Sequence, residues 1–343
     1  MTLAPYGGPD SLVKCYLKRE EWRMAQRNKI PHGSLIYVAG HRGLVGSAIW
    51  RRLADSGYER LVGFSSQELD LRDQSAVDHM VERVRPDIVI LAAARVGGIL
   101  ANATEPADFL EDNLRIQVNV MSAARKSGVQ RLLFLGSSCI YPKFAAQPIT
   151  EDSLMTGELE VTNDAYAVAK IAGIKHIQAL RRQFGVHYIS AMPTNLYGPG
   201  DNFSLTKSHV MPALIRRIHK AKVTNAKTVT IWGTGIPRRE FLFIDDLADA
   251  IVFLLEHYDS PDPINVGVGT DITIRELAET IAEVVRWSGE FLFDAEKPDG
   301  TPRKLLNVSR LTELGWNAST PLQVGINRTY DWFLANQSNI RDK

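Results

Sequence analysis

The sequence predicts a protein of the α/β class, with a doubly wound parallel sheet and a smaller C-terminal α/β lobe. From Ser34 onward, short and nearly continuous apolar runs alternate with amphipathic segments, which is typical of parallel strands covered by helices on both faces. After Met192 the chain becomes rich in proline, glycine and asparagine, a change that indicates passage into a second lobe. No repeat of solenoid period interrupts the pattern.

The predicted elements follow one another in order. The first strand, residues 34–39, contains β-branched and aromatic side chains and ends at a glycine. Further strands are predicted at 60–64, 87–93, 131–136 and 186–192, and amphipathic helices at 43–56, 73–85 and 164–184. We assign 1–33 to an N-terminal extension without a known role, 34–199 and 241–269 to the main domain, and 200–240 and 270–343 to the second lobe.

Composition excludes several classes of protein. The 343 residues include 40 Lys and Arg against 39 Asp and Glu, a net charge of +1, so the basic footprint of a nucleic-acid-binding protein is missing. Two cysteines, Cys15 and Cys139, provide neither a disulfide framework nor a multi-cysteine zinc site, and we expect no metal. No apolar run approaches the roughly 20 residues that cross a bilayer. We therefore expect a soluble protein of a reducing, cytoplasmic compartment without membrane or nucleic-acid partners.

A glycine-rich loop joins the first strand to the first helix. It consists of Gly40, His41, Arg42, Gly43, Leu44, Val45 and Gly46. Glycines at this spacing permit a tight turn and a close approach of the backbone to a pyrophosphate, and the helix N-terminus presents unpaired N–H groups to it. Between a strand and a helix, the loop predicts a Rossmann dinucleotide-binding site, so the main domain is the expected cofactor domain.

The end of the second strand predicts that the dinucleotide is NADP(H). A cofactor with a free ribose 2′-hydroxyl usually meets an Asp or Glu about 20 residues past the glycines, but here residues 63–67 contain no acid and the next one is Glu68. Arg42, with Ser65 and Ser66 nearby, is suited to bind a 2′-phosphate by charge-assisted hydrogen bonds. The alternative is that Arg42 is a solvated loop residue.

A second group of residues predicts carbonyl chemistry. Tyr166 and Lys170 lie one helical turn apart, and Ser137 follows the strand at 131–136, at the carboxyl end where α/β sheets bind ligands. A phenol with a pKa near 10 needs help to exchange protons at neutral pH, and a neighbouring ammonium favours its ionised form. A Tyr-x-x-x-Lys pair alone is usually two surface residues, whereas together with Ser137 and the glycine loop the pair is more often catalytic.

The glycine loop, Ser137 and the Tyr166–Lys170 pair resemble the extended short-chain dehydrogenase/reductases. Longer sequence motifs narrow the resemblance to the GDP-L-fucose synthase family. Its members are NADPH-dependent 3,5-epimerase-4-reductases of GDP-4-keto-6-deoxy-mannose. The resemblance runs from about Ser34 to the C-terminus. Its strings are LGSSCIYPK at 135–143, AKIAGIK at 169–175, MPTNLYGP at 192–199 and KPDGTPRK at 297–304.

The resemblance implies a role for each residue of the site. Cys139 and His209 would be the base–acid pair of the epimerisation, although composition alone makes Cys139 a buried structural thiol and His209 an ordinary polar residue at a helix start. Tyr166 would protonate the reduced oxygen, and Lys170 would bind the nicotinamide ribose and lower the pKa of Tyr166. The family positions add, as NADP(H) contacts, Leu69, Pro193, Thr194, Asn195, Leu196 and His209, and, as GDP-sugar contacts, Arg217, Trp232, Arg239 and Asp299.

Each substrate contact has a plainer alternative. Arg217 and Arg239 also fit solvated charges, and Trp232 also fits an ordinary core residue. Arg216 is an adjacent competitor for the role given to Arg217. Asp299 is expected to accept a hydrogen bond from a ribose or base.

Two other functions compete with the epimerase-reductase. An NAD-dependent nucleotide-sugar 4-epimerase or 4,6-dehydratase is disfavoured by the missing acid after the second strand and by Cys139 and His209. A non-catalytic NADP-sensing regulator is disfavoured because Tyr166 and Lys170 are both present. The family also implies a homodimer, with the 108–125 region and the 164–184 helix as the expected interface.

Overall fold

The structure, a computed structural model, describes residues 30–204, 208–297 and 299–339. Most of the expected N-terminal extension, residues 1–29, therefore lies outside the described residues. The strands are β1 (Ile36–Ala39), β2 (Leu61–Val62), β3 (Ile88–Leu91), β4 (Arg131–Leu135), β5 (His187–Pro193), β6 (Asn195–Tyr197), β7 (Thr228–Trp232), β8 (Arg238–Arg239), β9 (Phe241–Phe243), β10 (Ile264–Val266), β11 (Ile272–Thr273), β12 (Glu290–Asp294) and β13 (Arg303–Lys304). The helices are α1 (Leu44–Asp55), α2 (Gln74–Val84), α3 (Ile99–Thr104), α4 (Pro106–Lys126), α5 (Asp164–Phe184), α6 (Val210–Val223), α7 (Ile244–His257), α8 (Ile274–Val285), α9 (Ser309–Glu313) and α10 (Leu322–Ala335).

A six-stranded sheet in the order β10-β5-β4-β3-β1-β2 forms the main domain. Its paired strands all run parallel, which confirms the predicted doubly wound sheet. The chain passes from β1 to β2 on one side and returns to β3 on the other side of β1. The crevice outside the carboxyl ends of β1 and β3 is therefore the topological switch point, where folds of this kind bind ligands.

Helices cover both faces of this sheet, so strands β1 and β3 are buried along their whole length. On one face, α1 and α7 contribute buried side chains such as Ile49 and Ile251. On the other face, α2, α4 and α5 contribute side chains such as Val81, Val120 and Ile174. Burial on both faces explains why these strands appear in the sequence as continuous apolar runs rather than alternating ones.

The C-terminal lobe has its own apolar cluster, formed around α6, α8 and α10 and the parallel pair β7–β12. Strand β9 connects this cluster to the main core because its side chains alternate in direction. Phe241 and Phe243 pack in the lobe, whereas Leu242 and the following Ile244 pack against the main sheet. A small sheet in the order β11-β8-β13 lies in the same part of the sequence, and it supplies charged residues to the site described below.

Candidate active site

The glycine loop has the close backbone packing that a pyrophosphate site needs. Gly40 has a φ of +87°, and a Cβ there would lie 2.8 Å from the backbone that follows β3. A Cβ on Gly46 would lie 2.1 Å from the carbonyl oxygen of Gly40. Gly43 begins α1 without a side-chain cap, so no side chain caps the N–H groups of the first turn. The loop thus fits a dinucleotide phosphate, while the ring of His41 packs against Trp50, 5.5 Å away between centroids.

The residues expected near a 2′-phosphate differ in solvent exposure and in the hydrogen bonds that they already make. Arg42 and Ser66 are exposed, but Ser65 donates from its backbone N and from Oγ to Glu68, at 2.7 and 2.6 Å. These hydrogen bonds, with a smaller contribution from the charge of Arg42, hold the pKa of Glu68 below its usual value. Leu69 is buried in the core. Arg42 and Ser66 are therefore the exposed side chains of this group, while cofactor contacts of Ser65 and Leu69 stay predictions.

Two side chains of the segment after β5 hydrogen-bond the residue that follows β8. Thr194 Oγ1 and Asn195 Nδ2 both donate to the carbonyl oxygen of Glu240, at 3.3 and 2.8 Å. Pro193 pairs in register with Val266 of β10. The backbone N of Thr194 is also taken, because it donates to the carbonyl oxygen of Val266 at 3.0 Å, while Asn195 keeps its Oδ1 for another donor. The cofactor contacts expected of both residues stay predictions.

Ser137, Tyr166 and Lys170 meet at the carboxyl end of β4, as the sequence predicts. Ser137 lies two residues after the end of the strand, and its Oγ accepts a hydrogen bond from the backbone N of Cys139 at 3.3 Å. Tyr166 on α5 lies close enough to this hydroxyl for Ser137 to lower the pKa of the phenol slightly, against the effect of burial. Lys170, one turn further along α5, is buried, and its Nζ donates to the carbonyl oxygen of Leu135 at 2.8 Å.

Burial is the main influence on the pKa values of Tyr166 and Lys170. Burial raises the pKa of Tyr166, and the charge of Cys139 adds to this effect, against a smaller lowering by Ser137. The Nζ of Lys170 lies 5.7 Å from the centroid of the Tyr166 ring, and burial lowers the pKa of Lys170 to about 7. Desolvation of the phenol therefore dominates its pKa in this structure, and a lowering by Lys170 stays a prediction.

Cys139 is held in the same group by two donors. Its Sγ lies 3.4 Å from Asn163 Nδ2 and 3.5 Å from Lys304 Nζ. Burial alone would raise the pKa of the thiol, but Lys304, a hydrogen bond with Ser137 and the charge of Arg239 together bring it below its usual value. The structure thus gives Cys139 surroundings that favour the thiolate, unlike those of an inert buried cysteine.

His209 lies where α6 begins. It is the N-cap residue of that helix, but its side chain makes no capping hydrogen bond, so the imidazole is free for other contacts. Part of its surface is exposed, yet the protein around the ring is dense enough that desolvation lowers the pKa of the imidazole, and Lys304 lowers it further. Cys139 and His209 are therefore within the influence of one charge, that of Lys304.

Arg239 and Trp232, two of the expected substrate contacts, differ in their exposure. Arg239 on β8 is partly buried, which lowers its pKa, while the charges of Cys139 and Asp299 oppose this effect. Trp232 ends β7 with 56% of its surface exposed, which excludes the core alternative. The guanidinium carbon of Arg217 lies 5.7 Å from the centroid of the indole, whereas Arg216 donates to the carbonyl oxygen of Phe203 at 2.8 Å.

Asp299 has a different partner from the one expected. Its Oδ1 accepts from the backbone N of Thr234 at 2.7 Å, and its Oδ2 accepts from Thr234 Oγ1 at 2.8 Å. Both oxygens therefore hold the loop after Trp232, and the charge of Asp299 acts on Arg239. In the part of the chain that the structure describes, no three His, Cys, Asp or Glu side chains gather as metal ligands would.

Comparison with known proteins gives the family. The sequence profile of the NAD dependent epimerase/dehydratase family matches residues 36–267. The chain belongs to this family. It is 57% identical over 305 residues to Probable GDP-L-fucose synthase 1 from Oryza sativa subsp. japonica, covering 89% of this chain and 93% of that protein. It is 53% identical over 315 residues to GDP-L-fucose synthase from Escherichia coli (strain K12), covering 89% and 98%.

The fold of this epimerase/dehydratase family member also matches a solved structure. The GDP-L-fucose synthetase from Naegleria fowleri bound to NADP matches with a TM-score of 0.83 at 29% identity, covering 92% of this chain and 98% of that one. The resemblance inferred from the motifs is thereby confirmed. Among the described residues, no helix combines the length and the apolar character needed to cross a membrane.

Two residues of this family member have no role in the sequence analysis. Asn163 precedes α5, where an asparagine is most often a helix cap, yet its side chain does not cap. Its Oδ1 is buried and has no hydrogen-bond partner among the residues that the structure describes. Lys304 lies 165 residues from Cys139 in the chain. Only the presence of Lys304 in one of the family strings pointed to it.

Proposed function

We propose that the protein converts GDP-4-keto-6-deoxy-D-mannose to GDP-L-fucose, by epimerisation at carbons 3 and 5 followed by NADPH-dependent reduction of the 4-keto group. The observation that carries the proposal is the position of Cys139 beside Ser137 and Tyr166. A base suited to C–H chemistry and a proton donor suited to a reduced ketone thus share one site. The names of the relatives that are 53–57% identical support the same reaction.

Cys139 and His209 would carry the epimerisation. The carbonyl at carbon 4 acidifies the hydrogens on carbons 3 and 5, so the Cys139 thiolate can take one of them as a proton. The electron pair of the C–H bond then moves toward the carbonyl oxygen and forms an enolate. His209, in its protonated form, would return a proton to the opposite face of the same carbon; the lowered pKa of its imidazole makes that form a ready donor.

Tyr166 would complete the reduction. When bound, NADPH supplies the hydride that reduces carbon 4. The raised pKa of Tyr166 keeps the phenol protonated until negative charge develops on the oxygen of carbon 4, when it donates its proton. Ser137 would orient that oxygen by a hydrogen bond. The glycine loop would hold the pyrophosphate, with Arg42 and Ser66 at the 2′-phosphate and Lys170 at the nicotinamide ribose.

The GDP part of the substrate would bind to the C-terminal lobe, residues 200–240 and 270–343. Arg217 and Arg239 provide positive charge for the two phosphates, and the exposed indole of Trp232 provides a stacking face. Asn163 Oδ1, which is buried without a partner among the described residues, is available to a sugar hydroxyl. The predicted domain division would thus separate cofactor from substrate.

A homodimer and a cytoplasmic location complete the proposal. Helices α4 and α5 carry exposed apolar side chains, among them Val118, Val168 and Phe184, at 43%, 46% and 46% exposure. A second copy packing on these helices would cover them. The free thiol of Cys139 suits a reducing compartment. A monomer in equilibrium sedimentation would contradict the dimer.

The first experiment identifies the product. The full chain is incubated with the GDP-keto sugar and NADPH in D₂O, and the sugar is analysed by NMR. We expect GDP-L-fucose with deuterium at carbons 3 and 5. Reduction without deuterium at either carbon would leave only a 4-reductase, and a cofactor that cycles without net oxidation would favour the 4-epimerase alternative.

Variants then separate the two half-reactions. Cys139→Ser should slow deuterium entry at carbons 3 and 5, and it should leave hydride transfer to an already epimerised sugar nearly intact. Tyr166→Phe should suppress NADPH oxidation with little change in cofactor affinity. Cys15→Ser, the other cysteine of the sequence, serves as the control and should alter neither reaction. Normal exchange in Cys139→Ser would assign the base to another residue.

A further inference from the structure

Lys304 is the one charged side chain within hydrogen-bond distance of the Cys139 sulfur among the residues that the structure describes. Its Nζ lies 3.5 Å from Sγ, and the second close donor, the amide of Asn163 at 3.4 Å, is neutral. We propose that Lys304 is the positioning residue that supplies the counter-charge of a Cys139 thiolate. The use of that thiolate as the epimerisation base rests on the proposed function, but the ion pair itself does not.

The surroundings of Lys304 make the sulfur its natural partner. The lysine is partly buried, and no carboxylate lies within ion-pair distance of it in the described ranges. An acid is close by, because Asp271 pairs with Arg303 at 2.6 Å and with Arg238 at 2.8 Å. Successive side chains of a strand point in opposite directions. Strand β13 therefore directs Arg303 to Asp271 and Lys304 to the site.

The backbone holds Lys304 firmly in this direction. Lys304 pairs with Arg239 in the parallel β13–β8 ladder. The next residue, Leu305, donates to Gln147 Oε1 at 2.9 Å, and Leu306 donates to Glu240 Oε2 at 3.0 Å. Because its main chain is already fixed on both sides, forming the ion pair costs Lys304 only side-chain freedom and no further backbone freedom. Such a placement is expected of a group that must meet one particular sulfur.

The other titratable groups that face Cys139 affect its ionisation less than Lys304 does. Arg239 on β8 assists the thiolate, and it is itself opposed by Asp299 and Glu160. Tyr166 on α5 is neutral when its pKa is raised. His209 at the start of α6 is neutral except when it carries the proton of the reaction. Lys304 is therefore the largest positive influence on the sulfur.

The role accounts for the charge during proton abstraction. Before the step, the thiolate is paired with the ammonium of Lys304, which keeps all its protons. The S–H bond forms as the C–H bond breaks, and the negative charge passes from sulfur to the enolate oxygen. Lys304 then stands beside a neutral thiol and a nearby oxyanion. It touches neither the carbon nor the proton, so its effect on the reaction runs through Cys139.

The test measures ionisation of the thiol without substrate or cofactor. In a Cys15→Ser background, only Cys139 remains, and the pH midpoint of its alkylation by iodoacetamide reports its pKa. Lys304→Met should raise the midpoint by about one to three pH units and slow alkylation at pH 7 about tenfold or more. Lys304→Arg keeps the charge and should leave the midpoint near that of the background protein. Lys297→Met removes an exposed lysine of the same segment and should change nothing.

Each outcome decides the question. A midpoint that does not move in Lys304→Met, or that moves equally in Lys297→Met, overturns the proposal. Asn163→Ala removes the neutral donor, and a shift larger than that of Lys304→Met would assign the thiolate to the amide instead. Should Lys304→Met not fold, Lys304→Gln removes the charge while keeping a polar side chain, and the same midpoints apply to it.

A second readout links the ion pair to the chemistry. Deuterium exchange at carbons 3 and 5 should slow in Lys304→Met at neutral pH and recover as the pH approaches the new midpoint, which a merely structural loss would not do. Absence of exchange in the unsubstituted protein would refute the proposed function and leave the ion pair standing. A normal exchange rate in Lys304→Met at neutral pH, with a shifted midpoint, would refute the link between the two.

Discussion

Replacing Glu240 by glutamine tests the hydrogen bonds that fix the segment carrying Lys304. Glu240 is fully buried between β8 and β9. Its Oε1 accepts from the backbone N of Val268 and Gly269, at 2.6 and 2.7 Å, and its Oε2 accepts from the backbone N of Leu306 at 3.0 Å. One carboxylate thus connects the turn after β10 to the segment that carries Lys304.

The magnitude follows from what an amide can accept. The oxygen of glutamine can replace Oε1 and take two N–H groups, but its NH₂ then faces the N–H of Leu306. Two buried donors are left without acceptors, at about 1–3 kcal/mol each. Burial raises the pKa of Glu240, so removing the buried charge returns part of this cost. We expect a net loss of about 2–4 kcal/mol in the free energy of unfolding.

Calorimetry of the full chain checks the estimate. With an unfolding entropy of about 2.1 cal/mol/K per residue, the loss corresponds to a fall of about 3–6 °C in Tm for a chain of 343 residues. Glu279→Gln, an exposed position on α8, is the matched control and should melt with the unsubstituted protein. The alkylation midpoint of Cys139 should also rise in Glu240→Gln, because Leu306 lies two residues from Lys304. If Glu240→Gln melts like the control, the three N–H bonds contribute no net stability and the reasoning fails.

Three further predictions concern the binding sites. In Gly46→Ala the new Cβ meets the Gly40 carbonyl oxygen, 2.1 Å from its ideal position, so NADPH affinity measured by fluorescence should fall more than about tenfold; unchanged affinity would place the pyrophosphate elsewhere. Arg42→Ala should reduce the ratio of kcat/KM for NADPH over NADH by about tenfold or more, and a constant ratio would show that Arg42 is only a solvated residue. Trp232→Ala should raise KM for the GDP-sugar with little change in kcat, whereas Leu292→Ala, which is 50% exposed on the adjacent β12, should not; equal effects would remove the stacking role.

The local sequence pattern was sufficient to predict a feature that lies within a single helix or strand. Helix α5 is predicted at 164–184 and spans Asp164–Phe184, because an amphipathic period over that length leaves little choice. Tyr166 and Lys170 follow from the same period, one turn apart. Strand β2, predicted at 60–64, spans only Leu61–Val62, because it lies at the edge of the sheet with a partner on one side only.

Pattern was insufficient where a side chain has several available partners. Thr194 and Asn195 stand at the carboxyl end of β5, as expected of cofactor residues, but their side chains bind the carbonyl of Glu240. Asp299 likewise holds Thr234. Residue type shows that a hydrogen bond will form, but which groups lie within 3 Å depends on how strands from distant parts of the chain pair.

The sequence by itself determined the sheet, the glycine loop and the choice of the proposed reacting groups, because each is encoded by residues that are neighbours along the chain or one helical turn apart. Only the tertiary structure decided the ionisation of those groups. Burial raises the pKa of Tyr166 against the expected effect of Lys170, and Lys304, brought to Cys139 by the pairing of β13 with β8, lowers the pKa of the thiol. Desolvation and charge depend on what surrounds an atom in three dimensions, and that is set only when distant segments pack together.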